Sequence, residues 1–132
     1  MRKTLTFDAP RHITPPGLDG IVYRFPFAAV DSEMVGMPEE QHKTTYYRID
    51  VRISRSRRIG WAVSDEELVK VLFEIGKRKI VETLQSGDLP EQLQLDVTTA
   101  THPAQCPFDP SRIKNPEGAV IEVEVRSRIG FH

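Results

Sequence analysis

Hydrophobic positions recur along this chain with two different periods, and the change from one to the other divides it into elements. Between Ser64 and Gly87 the period is helical. Leu68, Val69, Leu72, Phe73, Ile75, Ile80 and Leu84 fall on one broad arc, while Glu67, Lys70, Glu74, Lys77 and Arg78 occupy the opposite one. An apolar arc this wide belongs to a core helix, and Glu74 ahead of Arg78 is the favourable order for an ion pair one turn apart. Both ends are marked. Ser64 with Glu67 forms a capping box, and Val63 and Leu68 stand where a hydrophobic staple needs them. At the other end Gly87 is suited to a left-handed cap, and Pro90 cannot continue a helix. Gly76 sits inside the apolar arc, where glycine costs about 1 kcal/mol relative to alanine. That cost predicts a strand or ring packed close against the helix backbone.

The other patterned segments have period two. Leu5 and Phe7 alternate with Thr4, Thr6 and Asp8 from Arg2 to Asp8, and Ile21, Tyr23, Phe25 and Phe27 alternate around Val22 and Arg24. Pro26 cannot donate to a ladder, so this second strand is expected at an edge or bulged. From Thr44 to Ser54, Tyr47, Ile49, Val51 and Ile53 face one way and Tyr46, Arg48, Asp50 and Arg52 the other. After the helix, Leu93, Leu95 and Val97 predict a strand antiparallel to a neighbour. Ile121, Val123 and Val125 predict a last one over Ala119 to Ile129. If this last strand lies beside the one from Thr44 to Ser54, Glu122 and Glu124 face Arg48 and Arg52. Residues 10–20, with Pro15-Pro16-Gly17, read as a loop. Residues 28–43 have little pattern beyond one helical turn at Pro38-Glu39-Glu40-Gln41. Residues 99–118 hold four prolines and end on the turn signal Asn115-Pro116-Glu117-Gly118.

The element order is therefore β-β-β-α-β-β. It predicts an α+β fold, a mainly antiparallel sheet of about five strands packed on one central long helix from Asp65 to Ser86, as a single domain over residues 1–132. A sheet covered on one face only, with open edges, also favours pairing with a second copy.

Composition narrows the function classes. Hydrophobic residues make up 39% of the chain and charged ones 28%, and the net charge is −1, which argues against a polyanion as the default partner. Cys106 is the one cysteine, so an intrachain disulfide and a cysteine-rich zinc framework are excluded, in keeping with a reducing compartment. The first ten residues contain no apolar signal region, and no run has the length of a membrane span. A cytoplasmic protein without a membrane partner is expected.

The sharpest local cluster is Arg52-Ile-Ser-Arg55-Ser-Arg57-Arg58-Ile-Gly-Trp61, preceded by Tyr46, Tyr47 and Arg48. Guanidinium groups pair with phosphates and aromatic rings stack on bases, so Arg52, Arg55, Arg57, Arg58 and Trp61 are the candidate residues for a polyanion or an acidic ligand. The near-neutral charge and the lack of a nucleic-acid module signature weigh against nucleic acid, and Trp61 just before the helix cap suits a lid on the core. His102 and Cys106 have a spacing zinc can use, but two ligands make no site, and His12, His42 and His132 stand in distant segments. Cys106 or Ser111 with His102 and Asp109 would give a nucleophile, a base and an acid, but all lie in one proline-rich loop rather than on elements that hold a triad rigid. There is no phosphate-binding glycine loop, dinucleotide fingerprint or His-Glu-x-x-His helix. The residues thus imply no cofactor or metal. They favour a small non-enzymatic interaction module that self-associates or docks a protein through a sheet edge, the arginine turn and the 99–118 loop. A nucleic-acid or other polyanion binder comes second, and a small enzyme with its site in that loop third.

Overall fold

A helix capped at Ser64 is what the sequence demands most strongly, and in the computed structural model, which describes residues 1–38, 43–99 and 102–125, α2 runs over Asp65–Ser86. Ser64 Oγ accepts from the Glu67 amide at 3.2 Å, and Glu67 Oε1 accepts from the Ser64 amide at 2.9 Å. The far end differs from expectation. Gly87 has φ 168°, an extended backbone open to any residue, and the last turn is closed by Ser86 Oγ donating to the Glu82 carbonyl at 3.0 Å.

Among the described residues six strands form one sheet: β1 (Arg2–Phe7), β2 (Arg11–His12), β3 (Ile21–Asp31), β4 (Thr45–Ile53), β5 (Gln92–Asp96) and β6 (Val120–Glu124). The order is β5-β4-β3-β1-β6, with β2 beside β3. The class is α+β and the sheet is largely antiparallel. β5 departs from the antiparallel expectation, since it runs parallel to β4, Ile49 opposite Leu93 and Val51 opposite Leu95. The reason is the connection: α2 carries the chain back along the sheet, so the next strand re-enters in the direction of the one before. β6 lies beside β1, not β4, so Glu122 and Glu124 meet Arg2 instead of Arg48 and Arg52.

Pro26 is not at a sheet edge. β3 is the middle strand, and Pro26 pairs with Arg48 of β4 on one flank. On the other flank β1 ends at Phe7, opposite Phe27, and β2 begins opposite Arg24, so the proline stands at the break between two short strands. Its carbonyl still accepts from the Asp8 amide at 3.0 Å. The missing N–H therefore costs one ladder bond where the ladder stops anyway.

A short helix, α1 (Arg55–Trp61), replaces the predicted arginine turn. Ser54 caps it, accepting from the Arg57 amide at 3.3 Å, and it ends at Ala62 in the left-handed region, φ 53°. With Ile59 at 75% exposure and Trp61 at 4%, it buries too little for a helical period to stand out. The predicted turn at 38–41 lies outside the described residues from position 39 onward.

Sheet and helix share one apolar cluster. Leu5, Phe7, Phe25, Phe27, Ile49, Val51 and Ile53 meet Leu68, Val71, Leu72, Phe73, Ile80 and Leu84. Phe73 sets its ring edge-on to Phe7, centroids 4.9 Å apart, and tilted to Phe25 at 5.7 Å. Side chains of this size each contribute about 1.5–3 kcal/mol when fully buried. Among the described residues no helix is long and apolar enough to cross a membrane.

Candidate docking edge

The arginines singled out in the sequence are mostly engaged with the chain itself. Arg52, on the outer face of β4, donates through Nη1 to Asp96 Oδ2 at 2.7 Å and through Nη2 to the Asp19 carbonyl at 2.8 Å. It thereby ties β4 to β5 and to the loop before β3. Arg57 Nη1 donates to the carbonyls of His102 and Pro103 at 2.9 and 2.6 Å, and Arg58 Nη2 donates to Asp65 Oδ1 at 2.8 Å. Arg55 is exposed and has no partner among the described residues. Trp61 lies in the core with its Nε1 buried and unpartnered. Asp96 is raised by burial but lowered more by the Thr98 amide and hydroxyl and by Arg52, which together hold it below the usual carboxylate range.

The groups considered for catalysis each turn to a local partner. His102 Nδ1 shares a hydrogen bond with Thr99 Oγ1 at 2.8 Å, and the Cys106 thiol donates to the Phe108 carbonyl at 3.2 Å. Ser111 Oγ donates at 2.7 Å to Asp109 Oδ1, the same oxygen that caps the turn at Pro110–Arg112 by accepting from the Ser111 amide. That hydroxyl, with the Ser111 amide, holds Asp109 below its ordinary value. His12 bonds Thr14, while His42 and His132 lie outside the described residues. Among the described residues no three His, Cys, Asp or Glu side chains gather as a metal site.

Among the described residues the sheet has two edge strands, β5 and β6, and a cleft under α2 lies beside the second. On one side this strand is bonded to β1: Phe7 donates to the Ala119 carbonyl at 2.9 Å, Val125 donates to the Met1 carbonyl at 2.8 Å, and Ile121 and Val123 stand opposite Leu5 and Lys3. Antiparallel bonding alternates, so the amides and carbonyls of Val120, Glu122 and Glu124 point away from β1. No strand among the described residues takes them.

Beneath this edge α2 overhangs without filling the space. Phe73, Glu74 and Lys77 of α2, Phe108, Ile113 and Ile121 enclose a cleft of about 800 Å³. A smaller one of about 290 Å³ continues along the helix past Arg78, Val81 and Gln85, sharing Lys77 and Ile121 with the first. Glu74 is held by Lys77 at 2.8 Å and Arg78 lies over the Phe108 ring at 4.6 Å, while Asp109, Arg112 and Lys114 add further charges to a cleft whose apolar part is Phe73, Phe108, Ile113 and Ile121. On the outer side of the strand Arg2 reaches Glu122 at 3.3 Å and Glu124 at 3.5 Å. Hydrogen bonding to the terminal amino group, then its charge, lowers the Glu124 carboxyl.

Another groove, of about 730 Å³, lies on the outer face between Leu18, Val22 and Gln94. Arg24 closes its charge balance by a two-pronged bond to Asp50 at 2.8 and 3.1 Å. The sequence signals for the β6 edge were present as an alternating last strand and a proline-rich segment before it. Their meeting with α2 was not, because it depends on which strand β6 pairs with. Comparisons of the chain with protein-family models, with curated proteins and with solved structures return no match.

Proposed function

We propose that the protein is a non-enzymatic interaction module that accepts an extended segment of a partner protein as an added strand on β6. The observation that carries this reading is the row of outward amides and carbonyls at Val120, Glu122 and Glu124 beside a cleft that Phe73, Phe108, Ile113 and Ile121 help to line. Strand addition draws affinity from main-chain bonds and selectivity from pockets for alternate side chains, and both parts are at hand. The single thiol and the want of a membrane-spanning helix among the described residues suit a cytoplasmic setting. Recognition of a polyanion by the arginine cluster is less well supported, since Arg52, Arg57 and Arg58 already hold acceptors of this chain.

The probe is a short peptide alternating threonine and valine, with amide hydrogen exchange as the readout. Added peptide is expected to protect Val120, Glu122 and Glu124. Val120→Pro, which removes an outward N–H at the first residue of the strand and leaves the bonds to β1 in place, is expected to abolish that protection. Exchange at these amides that is unchanged by saturating peptide, in a folded protein, overturns the reading.

A further inference from the structure

Resting on that reading, we infer that the partner segment alternates apolar with basic residues and belongs to a different protein. A strand laid on β6 places every second side chain on the outer face, beside Val120, Glu122 and Glu124, and the others over the cleft. Directly opposed residues on neighbouring strands bring their Cβ atoms to about 4.5–5.5 Å. On the outer face the incoming residues therefore meet two carboxylates whose side chains are 54% and 67% exposed. Their present cations, Arg2 and the terminal amino group, lie on the β1 side, at 3.3 Å from Glu122 and Glu124 respectively. Among the described residues Arg2 is the ion-pair partner of Glu122, through Oε2, while Lys77 and Arg78 of α2 border the smaller cleft that Glu122 also lines. A lysine or arginine there completes a cation, carboxylate, cation sequence across three strands, whereas an acid faces like charge directly. On the inner face Ile121, Ile113, Phe108 and Phe73 offer apolar surface to the incoming side chains, in a cleft that Lys77, Asp109, Arg112 and Lys114 also line.

The same geometry selects against a second copy of this chain. Antiparallel self-pairing over the whole of β6 sets Glu122 opposite its own counterpart and leaves the carboxylates of both copies on one face. A heterologous basic strand has no such conflict.

The test compares three short peptides, alternating valine with lysine, with glutamate or with threonine, for affinity and for protection of the edge amides. The lysine peptide is expected to bind about tenfold more tightly than the threonine one at low salt, the margin shrinking as salt rises, and the glutamate peptide more weakly than either. Glu122→Lys is expected to invert the order of lysine and glutamate peptides, and Glu122→Gln to flatten it, with thermal unfolding confirming that both variants are folded. Equal affinity for lysine and glutamate peptides, with the amides still protected, overturns the charge pattern and leaves strand addition standing. Protection by none of the three overturns both. Concentration-dependent dimerisation of the free chain that Val120→Pro removes overturns the claim of a different partner.

Discussion

Gly76 of α2 lies so close to Val51 of β4 that a β-carbon on the glycine would stand 3.2 Å from Val51 Cγ2, with Ile49 Cγ2 at 3.5 Å. The missing side chain is what lets the helix settle onto the middle of the sheet.

Gly76→Leu forces several carbons into that contact, where even a β-carbon already meets Val51 and Ile49. A loss of about 1–3 kcal/mol is expected, with a lower Tm in thermal unfolding. Gly76→Ala stays within about 1 kcal/mol of the parent, since the gain in helix propensity offsets the push on Val51. Val51→Ala should recover part of the loss in Gly76→Leu, and a double-mutant cycle measures it. Additive effects would show that the two residues do not touch in solution.

How much of this was legible in the sequence follows from the range of the forces involved. The cap at Ser64 and the strands over Arg2–Phe7 and Thr45–Ile53 come from side chains within a few residues of each other, and they stand within one residue of the predicted bounds, whereas Gly76 announced a close neighbour without saying that it is Val51. β3 runs on to Asp31 because Ala29 is buried, but alanine is too small to extend an apolar pattern. Thr4 reads as a solvent position yet is buried, its hydroxyl bonded to Ser32 Oγ at 2.8 Å. Helix α1 has a legible cap and no legible face. The neighbour of β6, and with it the open edge, depends on pairing across more than a hundred residues, which no local pattern encodes. The arginines drew attention for their charge, while in the structure Arg52 and Arg57 hold loops and Arg58 ties α1 to the start of α2.

Trp61 gives a direct check on the core lid. It is the chain's one tryptophan, 4% exposed, and its Nε1–H is buried without an acceptor. Trp61→Ala should cost about 3–5 kcal/mol through the cavity it leaves. Trp61→Phe should cost much less, because the donor it deletes makes no hydrogen bond. Emission of the native protein should be blue-shifted and poorly quenched by iodide. Ready quenching would put the indole at the surface and restore it as a stacking platform.

Asp96 ties the acid limb of stability to the β4–β5 pair. Its carboxyl is held below the ordinary value near about 3.9, so the stability it contributes is fully present above that value. That contribution is lost as pH falls through the lower folded value. Asp96→Asn keeps an acceptor for the Thr98 amide and removes the charge that faces Arg52. The variant should melt below the parent at neutral pH, and the gap should begin to narrow only as pH falls below about 4. A gap that stays constant down to acid pH would show that the carboxylate is not titrating against Arg52.

Arg55 and Arg57 sit two positions apart on α1 and are predicted to behave differently. Arg55 reaches no described group, so Arg55→Ala should change stability by no more than about 0.5 kcal/mol. Arg57 spans from α1 to the carbonyls of His102 and Pro103, and its loss leaves both without their donor. Arg57→Ala should cost about 1 kcal/mol and, more tellingly, should speed hydrogen exchange and proteolysis in the segment from His102 to Phe108 while leaving β1 and β3 protected. If both variants lose stability equally and that segment is no more open, the guanidinium of Arg57 is not the tie that holds it. A role at a bound ligand would then be the better account of the arginine cluster.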